Sequence, residues 1–128
     1  MLPIGRYVRI GVAAGLCGAV PAAATAGDLK APTIAASVAA AADWATTYHT
    51  LTHFRTREAN PLLRPLDHRP GAMVALGSAM DAGIISAWTL TVGRKNVRVA
   101  AAGLWALAAF RGYLAVHNLR NQKTAARR

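Results

Sequence analysis

The chain has 128 residues, room for one domain, and is 54% hydrophobic but only 16% charged, against about 25% charged in an ordinary soluble domain. Fifteen Lys and Arg face five acids, for a formal charge of +10, a balance that fits nucleic acid, an anionic membrane surface or the cytoplasmic flanks of membrane spans. The charges gather at residues 6–9, 55–69, 94–98 and 120–128, with Ala-, Leu- and Val-rich runs between them. No amphipathic pattern interleaves the basic residues, so the expected partner is a lipid bilayer and not nucleic acid.

The first element is an export-type segment. Arg6 and Arg9 form a positive start, Ile10 to Ala24 an apolar run, and Ala24-Thr25-Ala26 supplies small residues at the spacing a signal peptidase accepts. Residues 1–26 therefore read as a signal peptide cleaved after Ala26, or as a retained anchor helix ending near Pro21. Either way, residues 27–30 lie outside. Cys17, the single cysteine, falls in this run and reads as a small apolar filler. It excludes an internal disulfide framework and a thiolate metal cluster, and the preceding Leu16 does not suit a lipidated cysteine.

A bilayer core of about 30 Å asks for about 20 apolar residues per helix. Within a helical membrane domain spanning residues 27–119, the runs 31–54, 71–92 and 97–116 meet that length, and the first is the least apolar. The expected fold is all-α, a three-helix transmembrane bundle preceded by the signal peptide or anchor. Abundant Ala, Gly and Ser permit close helix contact, while Tyr48, Trp88 and Tyr113 suit interfaces. With the amino terminus inside, ten basic residues fall on the cytoplasmic face and four (Lys30, Arg94, Lys95 and Arg98) on the other. That bias predicts a bacterial inner-membrane protein with a cytoplasmic carboxyl terminus, although the turn Gly93-Arg94-Lys95-Asn96 is basic on the wrong side. Residues 120–128 read as a disordered basic tail.

Asp43, Asp81 and Arg111 are the ionisable residues inside the spans. A charge at the bilayer centre costs about 2.5 to 3.5 kcal/mol on insertion scales, so it must face protein and find a partner. An Asp–Arg pairing in which Arg111 serves one or both acids is the simplest solution. Such a cluster either locks the bundle or relays a proton or ion. At 100° per residue, Asp43, Thr46, Thr47 and Thr50 share one helix face, with His49 and His53 one turn apart on its flank. The threonines either line a polar track or bond back to their own helix. The histidine pair is a permissive but unspecific metal ligand set. No other metal or cofactor motif is present, nor a phosphate loop or nucleophile elbow.

After the first span, Pro61 biases Asn60 away from helix and marks a boundary. Asn60 can bond local backbone, Pro61 can open the next short helix, and Glu58 can accept from exposed donors there. The combination Asp43-x-x-Thr46-Thr47 followed by Glu58-Ala59-Asn60-Pro61 and two apolar runs resembles a family of small bacterial and archaeal multi-span membrane proteins of uncharacterised role. The resemblance covers residues 31–118. It implies a compact helical membrane domain with Asp43, Glu58, Asn60 and Pro61 as signature positions, and implies no activity or cofactor.

The functional expectation is a non-enzymatic accessory or assembly subunit that contacts another membrane protein or itself. Its size, the missing catalytic constellation and too few helices to enclose a pathway point that way. The alternative is a proton- or ion-handling oligomer that uses Asp43, Asp81 and the histidine pair. An intramembrane enzyme with Asp43 and Glu58 as acid and base ranks third.

Overall fold

The computed structural model of the protein describes residues 28–54 and 63–127. Three α-helices dominate: α1 (Lys30–His53), α2 (Pro70–Lys95) and α3 (Val97–Ala125), with a one-turn 3-10 helix at Arg64–Leu66 before α2. No strand occurs among the described residues, so the all-α class is as expected. The signal or anchor segment, Cys17, the Ala26 cleavage point and the Glu58, Asn60 and Pro61 turn lie outside the described residues.

Local chemistry sets the helix ends. Asp28 Oδ1 accepts from the Lys30 amide at 2.7 Å, satisfying a donor that the first turn of α1 leaves open. Pro70 opens α2, where its missing N–H loses no helical bond. Asn96 alone separates α2 from α3. Its backbone is extended (φ −152°, ψ 96°), and its amide closes α2 on the Val92 carbonyl at 2.7 Å. Its side chain accepts from the Val99 amide at 3.1 Å, an N-cap bond that starts α3. One residue thus replaces the longer turn expected at Gly93–Asn96, and α2 stays helical through Lys95. Near this end of α2, Gly93 leaves room for Leu29: a Cβ there would stand 2.7 Å from Leu29 Cδ1.

α1 and α3 share the most extensive interface and run in the same direction. Ala36 clusters with Leu104, Asp43 meets Arg111, and Thr50 meets Gln122 further along both helices. α2 runs against them, since Trp44 reaches Asp81 while Ala36 clusters with Ile85. The seam residues of α1 (Ala36, Ala40, Asp43, Thr47, Thr50) and of α3 (Leu104, Ala108, Arg111, Ala115, Asn118, Gln122) recur in alternating steps of four and three. That is the heptad spacing that keeps one stripe against a partner helix. α2 instead buries Met73, Gly77, Asp81 and Ile85, each one four-residue step from the last.

Two aromatic residues explain two glycines. The Trp44 indole of α1 lies where a Cβ on Gly77 would stand, and Trp88 of α2 lies 2.7 Å from the Cβ position of Gly103. Each glycine lets an indole lie flat against the neighbouring helix, so a side chain there would push two helices apart.

Large apolar side chains lie on the outside of the bundle, and two acids lie inside it. Val38 and Leu90 are 63% and 55% exposed, whereas Asp43 and Asp81 are 4% and 3% exposed. α2 and α3 are long and apolar enough to cross a membrane. The expectation of three such runs is met in only two: α1 has the length, but Asp43, its Thr residues and its two histidines leave it short of the hydropathy.

A further correction concerns the carboxyl-terminal end. α3 does not stop near Val116 but continues to Ala125, so the basic stretch from Arg120 is mostly helical and not a disordered tail. The physical reason is Gln122, which is buried against α1 and hydrogen-bonded there.

Candidate functional site

Each helix contributes one charge to a common point. Arg111 of α3 donates from Nη1 to Asp43 Oδ2 of α1 at 2.8 Å and from Nη2 to Asp81 Oδ1 of α2 at 2.5 Å. The other oxygen of Asp81 accepts from the Trp44 indole N–H at 2.7 Å. Arg111 also lies over the Trp44 ring, 5.4 Å from its centroid, within cation–π range. The planar guanidinium suits this task because its donors diverge in a fixed fork, one prong for each acid. Arg111 therefore serves both acids.

The polar seam continues along α1 and α3. Asn118 Nδ2 stands 3.1 Å from Thr47 Oγ1, 3.3 Å from Thr46 Oγ1 and 3.4 Å from Asp43 Oδ1. One turn further, Gln122 Nε2 donates to Thr50 Oγ1 at 2.7 Å and to the Thr46 carbonyl at 3.2 Å. Thr46 and Thr50 also donate to the carbonyls of Asp43 and Thr46, at 2.9 and 2.7 Å. The threonines thus do both things expected as alternatives: they bond back to their own helix and they accept from α3. On the far side of the triad the interior is apolar, closed by Ala36, Ile85 and Leu104.

The predicted residues Asp43, Thr46, Thr47, Thr50, Asp81 and Arg111 are therefore brought together. Three residues at the site carry no expectation from sequence: Trp44, Asn118 and Gln122. A signal for two of them exists in the chain, because Arg111, Ala115, Asn118 and Gln122 keep the heptad spacing that places them on one stripe. A span ending near Val116 leaves that stripe cut short. Trp44 carries no such signal, since its role depends on Gly77 opposite.

The histidines stand apart from this site. His49 and His53 stack with ring centroids 4.3 Å apart and an interplanar angle of 17°, on an exposed face of α1. Nearly parallel rings do not aim their nitrogens at a common point, and His53 Nδ1 lies 2.8 Å from Thr52 Oγ1. Among the described residues no group of three or more His, Cys, Asp or Glu side chains gathers to hold a metal. An apolar groove of about 180 Å³ lies between α2 and α3 at Ile84, Trp88, Gly103 and Leu107. It contains none of the polar seam.

Chemically, the triad can hold three helices in register. It presents no nucleophile activated by a base. No family model, curated protein or solved structure matches the chain.

Proposed function

We propose that the protein is a non-enzymatic accessory or assembly subunit of a bacterial inner membrane, a three-helix transmembrane bundle with its carboxyl terminus in the cytoplasm. One observation carries the reading: Asp43 of α1 and Asp81 of α2 both turn inward onto Arg111 of α3, and large apolar side chains of all three helices, Val38, Ile84 and Phe110 among them, are left outside. Membrane helices gain little from burying apolar surface against one another, so polar contacts and close packing hold them together. A clasp of this kind gives a small bundle a fixed shape and leaves its lipid-facing surface to meet another membrane protein. α1, too polar to count as a span alone, enters the bilayer with its polar stripe covered by α3. The likeness of Asp43-x-x-Thr46-Thr47 and the Glu58 to Pro61 turn to small multi-span membrane proteins supports the same placement.

The test is purification of the tagged full-length protein from its own membranes in mild detergent, with quantitative mass spectrometry of what accompanies it. The expected result is one membrane protein recovered in fixed stoichiometry, lost when the bundle is loosened by Gly77→Leu. Recovery of this chain alone as a defined oligomer would overturn the accessory reading and turn attention to ion flux.

A further inference from the structure

Where α2 turns into α3, basic residues gather beside an apolar groove. Leu29 packs against Gly93 and so brings the start of α1 to this turn, which leaves Lys30, Arg94, Lys95 and Arg98 at one end of the bundle. All four are exposed, and none pairs with an acid among the described residues. Asp28, at the same end, accepts from the Lys30 amide. Next to the turn the groove between α2 and α3 is floored by the core residues Ile85 and Leu104 and walled by Ile84, Trp88 and Leu107. One wall is preset, because the Trp88 indole N–H donates to the Ala100 carbonyl at 3.1 Å and pins the ring to α3. Ile84, Trp88 and Lys95 follow one another in steps of four and seven residues, so they share one face of α2. Lys95 therefore stands about 10 Å beyond Trp88 along the helix.

We propose that this end of the bundle binds an anionic phospholipid, with one acyl chain in the α2–α3 groove and the headgroup phosphate on Lys95, inside the positive field of Arg94 and Arg98. The groove sets the shape of the ligand. At about 180 Å³ it is too small for a partner helix, which is about 10 Å across with its side chains, but it takes a length of hydrocarbon chain. Its apolar lining offers such a chain dispersion contact along its length. The cations set the other half: the occupant must be apolar in the groove and anionic about two helical turns further on. Lysine meets phosphate as a point charge, and arginine can hold two of its oxygens in a fork. Trp88, between the two halves, suits the boundary of headgroup and hydrocarbon where amphipathic rings settle. A lipid anion held here also gives the basic turn Gly93-Arg94-Lys95-Asn96 a reason that the sidedness of the chain does not supply. The proposal rests on the bilayer placement and not on the accessory role.

Native mass spectrometry of the full-length protein tests it, after reconstitution in nanodiscs of equal phosphatidylglycerol and phosphatidylcholine and gentle release. Wild-type protein is expected to retain phosphatidylglycerol over phosphatidylcholine by at least about fivefold, the preference that one basic residue gives at an anionic surface. Arg94→Gln, Lys95→Gln and Arg98→Gln together are expected to abolish that preference, while Arg120→Gln with Lys123→Gln, at the other end of the bundle, leaves it. Ile84→Phe fills the groove from an exposed position and is expected to cut the retained phosphatidylglycerol. Leu90→Phe, at a comparably exposed position outside the groove, is expected to leave it unchanged. Equal retention of the two lipids, a preference that survives the triple change, or indifference to Ile84→Phe would overturn the proposal. So would a lipid-free dimer, which would put a second copy on the groove. Failure of the chain to enter nanodiscs at all would overturn the bilayer placement as well, and so is distinct from the other outcomes.

Discussion

Replacing Arg111 by methionine removes the cation through which α3 joins α1 to α2. Two charge-assisted bonds disappear, those to Asp43 at 2.8 Å and to Asp81 at 2.5 Å, together with the contact over Trp44. Removing one partner of a buried ion pair costs about 3–5 kcal/mol. The guanidinium is 18% exposed while each acid side chain is 5% exposed, which places the loss at about 3 kcal/mol, the lower end of that range. Set against about 5–15 kcal/mol for a whole domain, this is a large fraction of the total. Reversible unfolding in detergent mixtures of rising sodium dodecyl sulfate content, followed by tryptophan fluorescence, measures it. Arg111→Lys is expected to fall between the two, because an ammonium restores the charge but not the two-pronged geometry. Combining Arg111→Met with Asp43→Leu and Asp81→Leu is expected to recover at least half of the loss, since the polar groups left stranded are gone. A loss below about 0.5 kcal/mol in Arg111→Met, the level of an ordinary surface change, would refute the idea that the triad binds the helices together.

Gly77→Leu drives a side chain into the Trp44 indole and is expected to cost about 1–3 kcal/mol by overpacking, with a red shift of Trp44 emission in a Trp88→Phe, Trp105→Phe background. Gly112 has open space where a Cβ would stand, so Gly112→Ala is expected to be neutral or to stabilise by about 0.5–1 kcal/mol in the same assay. Gln122→Leu removes the two hydrogen bonds to the Thr46 carbonyl and the Thr50 hydroxyl; a loss of about 0.5–1.5 kcal/mol for each bond and faster amide exchange in the last turns of α3 are expected. Orientation is checked in Cys17→Ser protein by single cysteines at Lys95 and Ala126. A membrane-impermeant maleimide is expected to label Lys95→Cys in intact cells and Ala126→Cys only after permeabilisation, and the opposite pattern would reverse the bundle.

The sequence by itself determined the class of structure and the need for a clasp. Long Ala-rich runs between clusters of Lys and Arg specify helices, and an Asp or Arg inside such a run is too costly to leave unpaired whatever it meets. Hence Asp43, Asp81 and Arg111 were legible as one problem with one solution. Spacing along the first helix likewise set Asp43, Thr46, Thr47 and Thr50 on one face, because the helical period is the same in every fold. The tertiary structure alone decided the register between helices. That register depends on packing: Trp44 can lie across α2 only where Gly77 leaves room, and the parallel pairing of α1 with α3 puts Asn118 and Gln122 beside the threonines. It also decided where α3 ends, since a polar Gln122 looks like tail until Thr50 and the Thr46 carbonyl are there to receive it.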